Sequence, residues 1–374
     1  MTAPLASERF PVFLQDSWSR MTELPPTPDA GPVLVTGGAG FFGGLLARRL
    51  LKAGQRVVTL DLHAPDFTHP NLTAVRGDIR DAAMLRALFD EHRFPVVHHC
   101  AAILAHAVKD ERVLWESNVD ATGLIAEHAA RIGTRALVFT SSNCLWARGF
   151  GRPVREDDEP DPVEIYGRSK WEAEKLLAAF AGRLPVTIIR CPTIMDEGRL
   201  GLLAILFEFI TEGRRLWAIG GARNRYQFIY AQDLATACIA AAAEARTLIL
   251  HIGSDDVPTL AEAYQYVIDR AGTGARVVGV PRAPAVAALR LAHMLSISPI
   301  GPYQYRMIAE DFVFDTSRIK AELGWRPTLT NGEMLWRAYR YYAENRDEIA
   351  ARSDVSAHRQ VARMGVLRLL KLIS

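Results

Sequence analysis

Short apolar runs alternate with longer amphipathic segments from residue 32 onward. The apolar runs are rich in Val, Leu and Ile, as buried parallel strands are, and the segments between them repeat apolar positions with the period of a helix. In order they are "PVLVTGG", "FFGGLLARRLLKAG", "RVVTLDL", residues 81–93, "PVVHHCAAI", residues 117–132 and "RALVFTSSN". This alternation predicts an α/β fold with a doubly wound parallel sheet and helices on both faces.

Two further strands extend the predicted sheet, and the segments around them break the alternation. "PVTIIRCP" (185–192) and "TLILHIG" (247–253) have strand composition, and an alanine-rich helix begins near Asp233. The remaining segments are predicted to form a smaller, mostly helical substrate lobe over the carboxyl ends of the strands, where open α/β sheets bind ligands. The predicted parts are an extension (1–31) of no indicated function, the sheet domain (32–192 with 228–253), the lobe (193–227 with 254–350) and a basic amphipathic tail (351–374).

The composition is that of a folded globular protein with a small-molecule partner. Of the 374 residues, 49% are hydrophobic and 23% are charged, which excludes wholesale disorder. The 44 basic and 42 acidic residues leave a net charge of +2, so nothing favours a nucleic-acid partner. Cys100, Cys144, Cys191 and Cys238 lack C-x-x-C spacing, so neither a disulfide framework nor a metal site is expected. Because no signal-peptide pattern or long apolar run occurs, a cytoplasmic location is expected.

A glycine motif lies where the first predicted strand meets the first predicted helix. In "VLVTGGAGFFGGLLARRLL", Gly37, Gly40 and Gly43 form a G-x-x-G-x-x-G arrangement. The first glycine permits a tight turn, the second lets backbone approach a pyrophosphate and the third lets helix and strand pack closely. The motif therefore predicts a dinucleotide site in a Rossmann-type fold. Asp61 ends the second strand, where a carboxylate binds the adenosine ribose and repels a 2′-phosphate, so NAD is expected. Basic side chains nearby mean that NADP is not excluded.

Tyr166 and Lys170 lie four residues apart at the start of a predicted amphipathic helix, "EIYGRSKWEAEKLL". Side chains at this spacing share a helix face, so the ammonium would lower the pKa of the phenol toward working pH. Such a tyrosine can carry a proton to or from a substrate oxygen. Ser142, at the end of the strand "VFTSSN", is placed to hydrogen-bond the same oxygen. Alone, the pair would indicate only a solvated helix face; after a dinucleotide motif and a hydroxyl-ended strand, it predicts a catalytic site.

Together these motifs resemble the extended short-chain dehydrogenase/reductases. That family includes nucleotide-sugar epimerases and dehydratases and the ketone reductases of the 3β-hydroxysteroid dehydrogenase type. The resemblance covers about residues 32–345 and is carried by "TGGAGFFG", Asp61, "GDIRD", "HHCAAI", "SNVDATGLI", "TSSN", "YGRSK", "RCPTI", "FIYAQDLATA" and "FDTSRIKAELGWRP". It implies an NAD(P)-dependent oxidoreductase, and a homodimer is a further family expectation.

The resemblance also implies catalytic roles. Ser142 and Tyr166 would hold the reacting oxygen, and Lys170 would also bind the nicotinamide ribose. Asn118 would lie in the helix behind them, where a catalytic role and a structural one, as a polar residue satisfied by backbone, are both open.

Cofactor contacts are implied along the whole sheet domain. They are Gly37, Gly40, Phe41, Phe42, Gly43, Asp61, Asp78, Ile79, Ala101, Ala102, Lys170, Cys191 and Thr193. Within this set, Asp78 and Ile79 would flank the adenine, and Ala101 and Ala102 would line the cofactor path.

The segment before the "DLA" helix distinguishes the two branches of the family. Nucleotide-sugar enzymes often carry an arginine there, in "R-D-F", which grips a diphosphate. Here the stretch is "NRYQFIYAQDLA", with Tyr226 two places before Phe228 and Arg225 displaced by one, which on a strand turns the side chain to the other face. This weakens the nucleotide-sugar alternative without removing it, because Arg199, Arg223 and Arg225 could still meet phosphate from a loop.

Two apolar segments and the C-terminus favour a hydrophobic substrate. Residues 199–210 and 280–301 are rich in Leu, Ile, Ala and Met, as in the steroid-dehydrogenase-like branch, although such helices also pack cores. Residues 357–374 place apolar side chains on one helical stripe and Arg and Lys on the other faces. That pattern suits an anionic membrane surface, which would put the protein at the inner face of the membrane, and it equally suits packing on its own lobe or a second subunit.

The leading hypothesis is an oxidoreductase that interconverts a ketone and a secondary alcohol on a bulky, lipid-like substrate, such as a long-chain 3-keto lipid, a ketosphingoid or ceramide-type ketone, or a sterol-like alcohol. The alternative is a nucleotide-sugar 4-epimerase. A dehydratase is disfavoured because "SSNC" lacks the acid pair that usually follows the serine. A non-catalytic dinucleotide-binding module would typically have lost the tyrosine or the lysine, and both are present.

Overall fold

A seven-stranded parallel sheet is the centre of the computed structural model, which describes residues 31–105, 110–294 and 310–351. The strands are β1 (Val33–Thr36), β2 (Val57–Asp61), β3 (Leu72–Arg76), β4 (Val96–His99), β5 (Ala136–Ser142), β6 (Val186–Cys191), β7 (Thr193–Met195), β8 (Arg215–Ile219), β9 (Phe228–Tyr230), β10 (Leu248–His251) and β11 (Arg276–Val280). The order across the main sheet is β10-β6-β5-β4-β1-β2-β3, with every neighbouring pair parallel. The predicted parallel α/β sheet is confirmed.

Helices connect these strands. They are α1 (Phe41–Lys52), α2 (Ala82–His92), α3 (Glu111–Trp115), α4 (Ala121–Ile132), α5 (Ile165–Ala178), α6 (Leu203–Thr211), α7 (Ala231–Glu244), α8 (Leu260–Ala271), α9 (Arg282–Met294), α10 (Ser317–Leu323), α11 (Asn331–Glu344) and α12 (Arg346–Ala351). A π-helical segment, Glu116–Asp120, joins α3 to α4. The helix expected over 117–132 therefore begins earlier, at residue 111, and it contains this wider turn.

Two hydrophobic clusters cover the two faces of the main sheet. Val33 and Val35 point to the cluster that contains α1 and α7, whereas Leu34 points to the one that contains α2, α4 and α5. Successive strand residues alternate between faces, so β1, which is buried at every position, contributes to both clusters. The strand has apolar residues on both sides because helices cover both sides, as in doubly wound sheets.

The order of the strands reverses between β1 and β4. β1 pairs with β2 on one side and with β4 on the other, so the connections diverge from this point. A crevice forms at the carboxyl ends of two such strands, and it is the usual ligand site of an open α/β sheet. The turn that follows β1 and the segment that follows β4 therefore meet at the expected cofactor position.

The segments outside the main sheet contain strands as well as helices. β7 pairs with β9 and β8 pairs with β11, both in parallel, and a third hydrophobic cluster collects α6, α8 and α11 around them. The predicted lobe thus contains more strand than expected. Its boundaries, and those of the sheet domain, stay predictions.

The two apolar segments that favoured a hydrophobic substrate differ in environment. On α6, Phe207 and Ile210 are fully buried in the third cluster, so this segment packs a core. On α9, Leu291 and Met294 are 58% and 79% exposed. Residues 295–309, the proposed membrane tail (357–374) and the extension (1–30) lie outside the described residues. Within the described ranges, no helix is both long and apolar enough to span a bilayer.

Candidate active site

The glycine motif forms a turn in which three close backbone approaches leave no room for side chains. Gly37 has φ +73°, and a Cβ on it would lie 2.9 Å from Ala101 Cα, on the segment after β4. A Cβ on Gly43 would lie 2.1 Å from the carbonyl oxygen of Gly37, and one on Gly40 would lie 3.0 Å from the same oxygen. Gly40 caps α1 without a side-chain hydrogen bond, and the first turn of α1 has no acidic residue. This uncapped, positively polarised helix end fits a dinucleotide pyrophosphate.

Asp61 lies at the end of β2 and holds the glycine turn. Its Oδ2 accepts a hydrogen bond from the backbone N–H of Ala39 at 3.1 Å, and its Oδ1 accepts one from the N–H of His63 at 3.1 Å. The carboxylate is half-buried. The role of Asp61 in favouring NAD over NADP stays a prediction.

Asp78 has a partner that the motif did not reveal. Arg80 donates from Nη2 to Asp78 Oδ2 at 2.7 Å, and its backbone N–H donates to Oδ1 at 2.9 Å. The hydrogen bond from the Arg80 side chain, together with its charge, lowers the pKa of Asp78 below the usual value, despite a smaller opposing effect of burial. Ile79 is buried beside it. Asp78 is therefore an ion-paired carboxylate, and its place beside the adenine stays a prediction.

A buried chain of hydrogen bonds fixes the segment after β4. The Ala101 N–H donates to Thr36 Oγ1 at 3.2 Å, Thr36 Oγ1 lies 2.7 Å from His99 Nδ1, and His99 Nε2 lies 2.9 Å from Thr122 Oγ1. Thr122 donates its proton to the carbonyl of Asn118, so it must accept from His99 Nε2–H, and Thr36 must donate to His99 Nδ1. Burial, with a smaller effect of Lys170, lowers the pKa of His99 to about 3, so this imidazole is neutral. The donor and the acceptor of every hydrogen bond in this series are therefore defined.

Asn118 lies in the π-helical segment and joins three parts of the site. Its Oδ1 accepts from the N–H of Ile103 at 2.8 Å, and its Nδ2 donates to the carbonyl of Ile103 at 2.9 Å and to Ser169 Oγ at 3.0 Å. Ser169 in turn donates to the carbonyl of Tyr166 at 2.8 Å. Of the two roles that the sequence left open, this geometry fits the structural one: the amide holds the segment after β4 against the start of α5.

Tyr166 and Lys170 project from α5 into the sheet. Lys170 is 2% exposed; its Nζ donates to the carbonyl of Thr140 at 2.8 Å and lies 4.2 Å from the ring centre of Phe139. Tyr166 is half-buried. Gly167 permits this approach, because a Cβ there would lie 2.2 Å from the carbonyl of Cys144. Lys170 is therefore part of the interior, and the half-buried Tyr166 lies beside it, so the pair is not on a solvated helix face.

The protonation of the pair differs from the sequence expectation. Burial raises the pKa of the Tyr166 phenol above its usual value, and the opposing influences are a hydrogen bond with Ser142 and the charge of Arg199. Burial also lowers the pKa of Lys170 to about 8. Lys170 was expected to lower the tyrosine pKa, but its ammonium is directed to the Thr140 carbonyl. The groups that lower the pKa of Tyr166 are instead Ser142 and Arg199.

The end of β5 and the start of the β6–β7 segment form the floor of the site. Ser142 Oγ accepts from the N–H of Cys144 at 3.1 Å and so caps a short 3₁₀ turn. Cys191 is buried, and its Sγ donates to the carbonyl of Ser141 at 3.1 Å. Ala102, on the segment after β4, is exposed. All four cysteines are free thiols, as the sequence indicated.

Tyr226 occupies the place where the sequence comparison expected an arginine. It is 8% exposed, and its hydroxyl accepts from Asn143 Nδ2 at 3.0 Å and lies 3.0 Å from Thr193 Oγ1. The carbonyl of Tyr226 accepts from Asn331 Nδ2 at 2.7 Å. A neutral phenol, held from three elements, thus stands where a diphosphate grip would need a cation.

Two of the three neighbouring arginines, Arg223 and Arg225, are directed away from Tyr226. Arg225 donates from Nη1 to the carbonyl of Val257 at 2.7 Å. Arg223 lines a separate pocket of 510 Å³, with Arg282 and Glu310 among its other walls. Arg199 is half-buried, and its charge interacts with Tyr166 and Tyr226, so it is the arginine whose charge acts on the proposed reacting tyrosine.

A parallel sheet with a glycine turn at its switch point, and a helix that carries a half-buried tyrosine and a buried lysine four residues apart, define a dinucleotide-dependent enzyme of the oxidoreductase type. The chain belongs to the NAD-dependent epimerase/dehydratase family, whose model matches residues 33–253. The expected NAD dependence and enzyme class are thereby confirmed.

Individual relatives extend the similarity beyond the sheet domain. The chain is 36% identical over 340 residues to the uncharacterized protein y4nG of Sinorhizobium fredii, covering 90% of this chain and 85% of that one. It is 31% identical over 239 residues to 3β-hydroxysteroid dehydrogenase/Δ5→4-isomerase of Mycobacterium tuberculosis, covering 60% and 63%. The crystal structure of UDP-glucose 4-epimerase from Thermotoga maritima superposes with a TM-score of 0.70 at 22% identity, covering 84% of this chain and 99% of that one, which shows the same fold.

Two residues near the site were not singled out from the sequence. Glu174 and Arg190 form a buried ion pair below Lys170. Each has a feature in the sequence that could have indicated it. Glu174 lies four residues after Lys170, as Lys170 lies four after Tyr166, and Arg190 is a charged residue within the apolar strand "VTIIRC". A buried charge requires a partner, so the arginine alone could have pointed to an ionic contact.

Replacement of Asp61 by Asn should relax the choice between the two dinucleotides. The amide oxygen can still accept from Ala39, so the turn is kept, but the charge that repels a 2′-phosphate is lost. We expect NADP affinity to rise about tenfold relative to NAD, the order of one charged hydrogen bond. Calorimetric titration with both dinucleotides measures this. Asp66→Asn, on the exposed partner of Arg48, is the control and should leave the ratio unchanged; a ratio that Asp61→Asn does not alter would contradict the assignment.

Proposed function

We propose that this protein interconverts a ketone and a secondary alcohol on a bulky, lipid-like substrate, with Tyr166 as the group that exchanges the proton. The observation that carries the proposal is Tyr226, a buried neutral side chain in the place of the diphosphate-gripping arginine, beside a retained Tyr166–Lys170 pair. The candidate substrates are long-chain 3-keto lipids, ketosphingoid or ceramide-type ketones and sterol-like alcohols.

The dinucleotide would be held by the glycine turn and Asp61, with Asp78 and Ile79 at the adenine, Phe41 and Phe42 behind the turn, and Ala101, Ala102, Cys191 and Thr193 along its path. When bound, it supplies or accepts the hydride. Lys170 is buried close to this path, with an ammonium that can turn from the Thr140 carbonyl to a ribose hydroxyl.

Tyr166 is suited to donate a proton in the reducing direction. Because burial raises its pKa, the phenol is protonated at neutral pH and can protonate the oxygen of a carbonyl as the carbon is reduced. Ser142, within hydrogen-bonding reach of Tyr166, would polarise the same oxygen. In the oxidising direction the tyrosine must release its proton first, and the Ser142 hydrogen bond and the charge of Arg199 would stabilise the phenolate that forms.

A diphosphate would find no arginine side chain at position 226, although the charge of Arg199 reaches Tyr226. Arg225 is engaged with the Val257 carbonyl, and Asn143 stands where a dehydratase has the first residue of its acid pair. A phosphate placed there would lose its hydration without gaining the paired hydrogen bonds of an arginine at position 226, which is costly. A substrate with no charged group at this position avoids that cost, and the M. tuberculosis relative, a hydroxysteroid dehydrogenase, is named for such a substrate.

A screen of two substrate classes tests the proposal. The protein is incubated with NADH and, separately, with long-chain ketones and with UDP-sugars, and both nicotinamide absorbance and product masses are followed. We expect net loss of NADH with a long-chain ketone. Epimerisation of a UDP-sugar with no net absorbance change would overturn the proposal in favour of the alternative, a nucleotide-sugar 4-epimerase, for which the similarity to the T. maritima enzyme gives the specific support.

Binding of UDP gives an independent measure of the same question. We expect the native protein to bind UDP more weakly than about 1 mM, because the side chain at position 226 carries no positive charge to bind the diphosphate. Tyr226→Arg, which restores the cation, should tighten binding, and Tyr226→Phe, which does not, is the matched control. If the native protein bound UDP in the micromolar range and Tyr226→Arg brought no gain, the diphosphate argument would be wrong.

Two further parts of the proposal rest on sequence pattern alone. The first is that the 357–374 tail contacts an anionic membrane, which would bring a lipid-modifying enzyme to its substrate from the cytoplasmic side. The second is that the protein forms a homodimer, as is expected for the family. Separation of cell extracts into membrane and soluble fractions, with and without residues 357–374, tests the first; an unchanged distribution would refute it.

A further inference from the structure

A buried ion pair lies directly beneath the candidate catalytic residues. Glu174 and Arg190 have side chains that are 1% and 2% exposed. Arg190 donates from Nη2 to Glu174 Oε2 at 2.7 Å, and from Nε to Oε2 and Oε1 at 3.0 and 3.1 Å. Glu174 is one helical turn after Lys170, which is one turn after Tyr166, so the three side chains form one stripe on α5.

Glu174 also binds the strand that ends in Ser142. Ser141 donates from Oγ to Glu174 Oε1 at 2.5 Å. Because successive strand residues point to opposite faces, a bond on Ser141 fixes the direction of Ser142. The same carboxylate therefore connects the helix that carries Tyr166 and Lys170 to the strand that carries the serine.

The guanidinium of Arg190 is satisfied on its other side. Its Nη1 donates to the carbonyl of Glu156 at 3.1 Å and lies 3.4 Å from His251 Nε2. Burial, with the charge of Arg190, lowers the pKa of His251 to about 3, so His251 is neutral, donates from Nδ1 to the Val154 carbonyl at 3.0 Å, and presents an acceptor to Arg190. A fully satisfied network in low dielectric holds its members in one arrangement.

We propose that Glu174 is a positioning residue, which ties α5 to the end of β5 so that Tyr166, Lys170 and Ser142 keep one geometry, and which holds the Lys170 ammonium charged. An ion pair of this kind is no more stabilising than apolar side chains of the same volume, so its position under the catalytic pair is the feature that needs an explanation. The inference rests on the proposed function for the roles of Tyr166 and Ser142.

The groups that face Lys170 explain why this charge matters. They are His99 and Cys100 after β4, Cys144 after β5, Cys191 at the end of β6, and Glu174. His99 is neutral. Burial, offset in part by Lys170, raises the pKa of Cys191 to about 12, and burial raises that of Cys100 to about 11, so neither thiol is charged near pH 7. Burial lowers the pKa of Lys170, and Glu174 opposes that effect with a carboxylate held in its ion pair.

Glu174→Gln tests the effect of the Glu174 charge on Lys170, and Ser141→Ala tests the hydrogen bond that ties α5 to β5. The amide keeps the shape of the carboxylate but removes its charge, so Lys170 should lose its proton at lower pH. NMR of lysine-labelled holoenzyme measures this, with the Lys170 signal assigned by its absence in Lys170→Arg. We expect the proton affinity of Lys170 to fall at least threefold in Glu174→Gln. It should be unchanged in Glu172→Gln, which makes the same substitution on the exposed side of α5.

Turnover gives the second measurement. Ser141→Ala keeps both charges, so we expect kcat to fall about tenfold with little change in KM and an unmoved alkaline limb of the pH profile; in Glu174→Gln that limb should move to lower pH. An unmoved Lys170 titration in Glu174→Gln, or a native kcat in Ser141→Ala, would overturn the proposal. Absence of turnover by the native protein on every ketone and sugar would instead count against the proposed function, and the NMR titration would still decide the role of Glu174.

Discussion

Replacement of Tyr166 by Phe should abolish turnover while leaving the protein folded and able to bind NAD. The variant loses only the hydroxyl, which is the group that must exchange a proton with the substrate oxygen. Positioned general acids and bases contribute about 10²–10⁴-fold, and loss of the hydrogen bond with Ser142 adds to this, so we expect a fall of at least about 10³-fold in kcat. Single-turnover kinetics with the ketone identified by the screen, and calorimetry with NADH, measure the two effects.

The control for this variant is Tyr266→Phe. Tyr266 is on α8, where its ring packs 3.7 Å from the guanidinium carbon of Arg270, and it has no place in the candidate site. The same deletion of a hydroxyl there should leave kcat within twofold. Full activity of Tyr166→Phe would show that another group carries the proton, and loss of NADH binding would show that the tyrosine holds the cofactor and not the substrate.

Replacement of Gly43 by Ala should disrupt the glycine turn itself. The new methyl group would lie 2.1 Å from the carbonyl oxygen of Gly37. Its nearest neighbours are backbone atoms of Gly37 and Gly38, which cannot shift as a flexible side chain can. Overpacking in a tight core costs about 1–3 kcal/mol, and here the turn must also open in order to relieve the contact. We expect a lower free energy of unfolding, measured in urea, and NAD affinity reduced by at least about 100-fold, because the pyrophosphate is bound by the backbone that moves.

Gly123→Ala is the matched change elsewhere. Gly123 is in α4, and its new methyl group would lie 3.1 Å from the side chain of Leu176, which can shift. Alanine is the better helix former by about 1 kcal/mol, so this variant should be as stable as the native protein or slightly more stable. NAD affinity of Gly43→Ala equal to that of Gly123→Ala would contradict the assignment of the pyrophosphate to this turn.

The features that sequence could predict are those fixed by local spacing. The glycine turn needs three glycines within seven residues, and the stripe of Tyr166 and Lys170 needs only the period of a helix. Asp61 could be placed because a strand of known length must end near it. In each case one short segment contains the whole constraint, so the pattern of residue types defines the geometry.

Contacts across the sheet could not be predicted in the same way. Ser141, Glu174 and Arg190 come from β5, α5 and β6, and the hydroxyl of Tyr226 meets Asn143 and a threonine from two further segments. Such partners are chosen by the packing of elements that are distant in the chain. The predicted direction of the Tyr166 pKa shift was wrong for the same reason. The spacing on α5 indicated a nearby ammonium, but it revealed neither the Thr140 carbonyl that binds this ammonium nor the burial of the phenol.

The buried histidines of β4 have a consequence for any pH profile. Burial lowers the pKa of His98 to about 4 and that of His99 to about 3, so both imidazoles stay neutral throughout the range in which a dehydrogenase is normally assayed. An inflection near pH 6 or 7, which is customarily assigned to a histidine, cannot come from this strand. Kinetic pKa values measured between pH 5 and 9 would therefore be free of interference from these two residues.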